Sequence, residues 1–368
     1  MHLPKKKFLI IIFYISFILF LIEFLAYGII KILNNKAVFY NQSQVKQSYE
    51  DYIKVRDTLL GWKNNNADDY GARKDKSSFS KSKTCVDMYG DSFTYGYEVE
   101  DIDAWPSKLS EKLRCRVRNY GVVGYGTDQA YLRYQHQSSK YSKIVVLNHL
   151  SEDILRNINQ FNNLLYPNAE FALKPRFIIA NNQLSLIQTI SLSKLEFKEF
   201  LDTPQTFLKY DYFTPFGYSG VQIASFPYVY SVVKAFNHYH VKAIFNNKSR
   251  IEEFYEHKHK SQALQVTEMI MREFERSARA NGLIPILTII PTCRDFEHKK
   301  IYGYFPYKNL PKELNKYSFF FIDFGLEIIE NGLNYKDLYF NCSSHMNKIG
   351  NQALAEIFER KLKEMQLY

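Results

Sequence analysis

No two cysteines in this 368-residue chain stand at a spacing that suits zinc, no block of lysine and arginine follows the first few residues, and no nucleic-acid-binding module is visible. These absences argue against a metal-knuckle architecture and remove the usual ground for nucleic-acid binding. No metal or other cofactor is expected. No internal repeat is visible either. The formal net charge of +10 is spread through the chain, as in a solvated lysine-rich exterior. What the chain does have is 46% hydrophobic residues against 23% charged ones, which excludes disorder for most of its length.

The apolar content is uneven. Lys5, Lys6 and Lys7 are followed by a run from Phe8 to Leu33 interrupted only by Glu23 and Lys31, long enough for the roughly 20 residues a helix needs to cross a membrane. A cleaved secretory signal has a shorter apolar region and a small-residue cleavage site, and no A-x-A site follows this run. The expectation is an uncleaved signal anchor, with residues 1–7 cytoplasmic, 8–33 spanning the membrane once, and the rest on the extracytoplasmic side. A buried core helix is the competing reading. Residues 34–82 are polar, with Asn64, Asn65 and Asn66 in a row, and read as a stalk or entry segment.

From residue 83 to 368 strand and helix patterns alternate. Val86–Gly90, Val117–Tyr120, Ile144–Asn148, LIPILTIIP and Ser318–Asp323 read as strands. Ala104–Leu113, Asp128–Gln137, Ser261–Ala280 and a last segment from Gly350 read as helices, with Asp103 able to cap the first. Such alternation predicts an α/β fold, a three-layer α/β/α sandwich with a central parallel sheet, preceded by the one transmembrane helix. The pattern lapses at about 157–258, an aromatic-rich insertion that either packs over the sheet or lines a carbohydrate-binding cleft. Cys85 and Cys115 open neighbouring predicted strands, and Cys293 and Cys342 lie beyond the ends of later elements. The pairs 85–115 and 293–342 are therefore expected, with free buried thiols the alternative.

Three stretches carry chemistry. YGDSFTYG places Ser92 where the first strand ends, a candidate nucleophile among small residues. NYGVVGYGT follows the second strand, and its glycines allow a backbone N–H to approach a ligand, as an oxyanion site requires. Its spacing is not that of a dinucleotide fingerprint. SHMNKIGN precedes the last helix and places His345 where a general base could meet Ser92. In this order the three resemble the SGNH (GDSL-like) hydrolase and acyltransferase superfamily from about Thr84 to the C-terminus, and SEDILRN followed by KPRF is similar to a membrane-anchored subgroup of it.

The resemblance implies Ser92 as nucleophile, His345 as base, and an oxyanion site from Ser92, Gly124 and Asn148. The family usually carries Asp three residues before its His, but Cys342 stands there. Asp337, or else Asp323, is the expected replacement, with a Ser–His dyad or lost activity as alternatives. Where the family's third block supplies an Asn side chain, Glu152 and Asp153 stand instead, leaving Asn148 as the nearest amide. The implied function is a membrane-anchored serine esterase or O-acyltransferase. Its expected partners are an acylated small molecule or cell-envelope glycan as substrate, the membrane through the N-terminal helix, and no nucleic acid. A catalytically inactive envelope protein that binds a glycan or protein partner is the alternative. The oligomeric state is not implied.

Overall fold

A computed structural model of the chain describes residues 5–34, 36–45, 47–63, 67–137 and 142–368. Residues 1–4 of the expected cytoplasmic segment and the Asn64–Asn66 run of the expected stalk lie outside the described residues. The chain divides into two compact units: residues 1–54, 161–172 and 192–250 form one, and residues 55–160, 173–191 and 251–368 form the other. The expected stalk thus splits between them, and the expected insertion contributes to both.

The second unit holds a five-stranded parallel sheet. Its strands are β1 (Thr84–Gly90), β2 (Arg116–Gly121), β3 (Ile144–Leu150), β4 (Ile284–Ile290) and β5 (Phe320–Asp323), in the spatial order β5-β4-β3-β1-β2. Every residue of β3 is buried, and so are all but one residue of β1 and of β4, as expected for strands covered on both faces. One covering layer is built by α4 (Thr127–Gln137) and α6 (Ala263–Ala280). The other contains α3 (Trp105–Leu113), a helix Phe324–Glu330 and α7 (Lys348–Glu364). In α6 the buried residues Leu264, Ile270, Met271, Phe274 and Ala278 recur at helical spacing and make one stripe. Asn281 ends that helix, and Gly282 follows at φ +72°.

Asp103 does not cap α3. It lies in the preceding turn and pairs with Lys108 and Lys348 at 3.0 and 2.7 Å, while the Trp105 N–H donates to Asn351 Oδ1 of α7 at 3.0 Å. The cap comes from a residue 246 positions away, so local sequence could not reveal it. Both expected disulfides are present, Cys85–Cys115 and Cys293–Cys342.

The first unit contains α1 (Lys5–Asn34), the helices Lys194–Asp202, Tyr228–Ala235 and Tyr239–Phe245, and a short parallel pairing of Phe39–Tyr40 with Gln222–Ile223. One helix of the described chain, Lys6–Asn34, is long and apolar enough to cross a membrane. Beyond it, Tyr52, Phe161, Phe171, Phe197 and Phe200 pack ring against ring with centroids 4.8–5.8 Å apart. All five are buried. These aromatics are a core and do not line a cleft, because packing against one another uses up their surfaces.

Candidate active site

The strand order reverses between β1 and β3, so their outgoing connections diverge and leave a crevice at the carboxyl ends of the strands. Ser92 sits there, one residue beyond the Asp91 that follows β1. Gly90 cannot be larger, since a Cβ on it would lie 2.0 Å from Thr94 Oγ1. Asp91 then caps the single turn α2 (Ser92–Tyr95), accepting the N–H groups of Phe93 and Thr94 at 2.9 and 3.5 Å. The β2–α4 loop crowds the same turn. A Cβ on Gly121 would lie 2.3 Å from the Tyr95 nitrogen, and the Val122 N–H donates to Gly90 O at 3.1 Å. In this loop Gly124 takes the left-handed conformation, φ +83°. Among the described residues the N–H groups of Ser92 and Gly124 form no hydrogen bond.

His345 arrives from the loop before α7, and its Nε2 lies 2.9 Å from Ser92 Oγ. Several ties hold that loop. Asn347 caps α7 by accepting the Ile349 and Gly350 N–H groups, and its Nδ2 donates to the carbonyls of Asp337 and Tyr339. Asn351 Nδ2 donates to Met346 O at 3.1 Å. The Tyr339 hydroxyl donates to Pro291 O at the end of β4, and the Cys293–Cys342 disulfide anchors the loop three residues before His345. Phe93 and Tyr97 each pack on the imidazole with centroids 5.0 Å apart.

The carboxylate beside the imidazole is Glu98, a residue the sequence reading did not single out. Its Oε2 is 3.6 Å from His345 Nδ1, it accepts the His345 backbone N–H at 3.4 Å, and it receives the Ser344 hydroxyl. Glu98 occupies the left-handed region, φ +71°, a conformation uncommon for a residue with a side chain. Burial pushes its carboxyl up, but the hydrogen bonds from Ser344 and His345, with the charge of His345, bring it below its ordinary value. His345 itself is lowered from 6.5, first by burial and also by Arg156, against the opposing charges of Asp91 and Glu98.

The other expected residues lie elsewhere. Asp337 is exposed and its carboxylate accepts Asn334 Nδ2 at 3.0 Å. Asp323 caps the helix Phe324–Glu330 and accepts the Tyr307 hydroxyl at 3.0 Å. Both carboxylates are committed to local turns, which is why neither stands beside His345. Asn148 packs against the backbone of β1, but its Nδ2 donates to Tyr89 O at 3.2 Å and its Oδ1 accepts the Thr288 hydroxyl at 2.7 Å. With its oxygen and one of its two N–H groups engaged, Asn148 ties β1, β3 and β4 together. Asp153 belongs to a buried cluster: Arg156 Nη1 donates to Asp153 and Asp91 at 2.9 and 3.1 Å. Burial, then the charge of Asp91, raises Asp153 well above the usual carboxylate range, with Arg156 opposing. The Arg156 guanidinium offsets only part of the cost of burying a charge on Asp153.

No family profile and no curated protein matches the sequence. Among solved structures, similar chains include a lipolytic protein of the G-D-S-L family from Desulfitobacterium hafniense, 13% identical over 76% of this chain and 99% of that one, TM-score 0.38. Another is a member of the same lipolytic family from Veillonella parvula, 13% identical over 76% and 97%, TM-score 0.35. A third is a protein from Lactobacillus plantarum, 11% identical over 77% and 98%, TM-score 0.38. These likenesses are distant, and the assignment rests on the sheet and the site themselves. With its covered parallel sheet, Ser92 at the reversal of strand order and His345 delivered from the loop before the last helix, the chain has an SGNH/GDSL-like α/β fold.

Proposed function

We propose that the protein is a serine esterase or O-acyltransferase, anchored in a membrane by α1, which acts on acylated cell-envelope glycans through an acyl-enzyme. The observation that carries the chemistry is the 2.9 Å approach of His345 Nε2 to Ser92 Oγ. In this reading Oγ attacks the ester carbonyl while Nε2 takes its proton, and Glu98 stabilises the imidazolium that forms. The 3.6 Å separation at Nδ1 suits an unliganded site, where such contacts are commonly longer than in the substrate complex. The N–H groups of Ser92 and Gly124 supply the oxyanion donors. The leaving alcohol takes the proton from His345, and water or a second hydroxyl then resolves the ester on Ser92. The glycan as acyl carrier is drawn from the superfamily resemblance and the apolar N-terminal helix.

A binding protein without activity is suggested by the missing acid at position 342 and the altered third block, and Glu98 weighs against the first of these. The test is labelling of the detergent-solubilised full chain with a fluorophosphonate. Wild type is expected to label, and Ser92→Ala and His345→Ala are expected not to. A wild type that neither labels nor hydrolyses any ester of an acetylated sugar panel would overturn the catalytic reading.

A further inference from the structure

Glu23 is one of only two charged residues between Phe8 and Leu33, and a lone carboxylate in a membrane span is costly unless it finds a partner. Its partner is a helix end. Glu23 accepts the Tyr228 N–H at 2.6 Å and the Val229 N–H at 3.4 Å. These are first-turn donors of the helix Tyr228–Ala235, which begins after Pro227 with no side-chain cap of its own. A carboxylate and two first-turn helix donors thus satisfy one another. The Tyr27 and Tyr228 rings pack beside them with centroids 5.2 Å apart.

That contact sets the level of the Tyr228–Ala235 helix along α1. At about 1.5 Å per residue, a hydrocarbon layer of about 30 Å takes up about 20 residues. Counted from Lys7, those residues run out near Tyr27. Glu23 then lies about 6 Å inside the boundary remote from the lysines. Farther along α1, Ile30 is already buried in protein, with Val38, Phe39, Ala235 and Val241. The helix Tyr228–Ala235, whose first turn is held by Glu23, therefore begins about 6 Å inside that boundary. This helix and the next, Tyr239–Phe245, form a pair that, with the residues flanking its first helix, exposes Phe226, Tyr230, Val233, Phe236, Ile244 and Phe245, each between 52% and 73% accessible. Ser231 and Ala235 are the buried face of the first helix, and Tyr239 and Val241 are buried in the second. Lys234 lies over the Tyr230 ring at 4.4 Å and Lys31 over Tyr27 at 5.2 Å, the pairing of apolar body and charged tip that suits a membrane boundary.

We propose that this helix pair is a second, monotopic membrane contact, inserted into the boundary of the bilayer that α1 crosses, with those six side chains against the acyl chains. The proposal rests on the reading of α1 as a membrane span. The occupant is lipid because the exposed face continues the apolar surface of α1 at the level where that helix leaves the hydrocarbon.

The four native cysteines are paired, so a single introduced thiol can carry a fluorophore. Full-length Phe20→Cys, Val233→Cys, Phe245→Cys and Leu195→Cys are labelled with an environment-sensitive dye in phosphatidylcholine–phosphatidylglycerol vesicles. They are then quenched with lipids carrying a spin label high on the acyl chain. Quenching at 233 and 245 at least twofold above that at Leu195, which is 79% accessible, is the expected result. Phe20 quenched, with 233 and 245 no more quenched than 195, would overturn the proposal while leaving the span intact. Phe20 unquenched would remove the span, and the proposal with it.

Discussion

At the residue scale the decisive contact is Glu98 with His345. The charges of Asp91 and Glu98 raise the His345 pKa, against the stronger lowering by burial. Glu98→Gln should therefore move the acid limb of the kcat/KM profile to lower pH while reducing kcat by about 10²-fold or more, because the imidazolium formed in the transition state loses its counter-charge. Asp337→Asn should change neither. A pH–rate series on the three proteins checks both statements, and an unmoved limb in Glu98→Gln would return the question to a dyad. In wild type, the lowered His345 keeps the base unprotonated throughout the neutral range, so activity should persist to below pH 6.5 before it falls.

At the element scale the two disulfides do different work. Cys85–Cys115 closes a separation of 30 residues between the first two strands, and Cys293–Cys342 closes one of 49 between the end of β4 and the loop carrying His345. By loop-closure entropy each is worth about 3–4 kcal/mol, with the longer loop at the upper end. Replacing either pair by serines should lower the stability of the unfolding transition by that order. Only the Cys293→Ser, Cys342→Ser protein should also lose turnover at temperatures where it remains folded, since its loop positions the base. Chemical denaturation beside kcat for the two double variants measures this. Equal losses of turnover would mean that the second disulfide has no part in placing His345.

At the scale of the whole molecule, α1 makes the chain a membrane protein in the proposed function, so full-length protein in isolated membranes should resist extraction at alkaline pH and require detergent. Release by sodium carbonate would contradict it. The same helix supplies Ile30 to a protein core and Glu23 to a helix terminus. Deleting residues 1–34 should therefore do more than solubilise the chain. The first unit should lose protection in hydrogen exchange, most of all at the amides of Tyr228 and Val229, whose acceptor is gone.

The alternation of strand and helix, the apolar run at the N-terminus and the three stretches around Ser92, Gly124 and His345 were legible because each is a local pattern. Period two, period 3.6 and a glycine at a crowded turn are imposed by neighbours in the chain. Ser92 and His345 could be paired from sequence through the order of the three stretches and the resemblance that order carries. The carboxylate beside the imidazole was not legible: Glu98 lies 247 positions from His345, has no periodicity to mark it, and depends on a left-handed backbone and on the Ser344 hydroxyl to face the imidazole. Nor was the fate of Asn148, Asp323 and Asp337, since a side chain's availability depends on which partners reach it first. Burial and hydrogen-bond competition are settled among distant segments, and only the folded chain decides them.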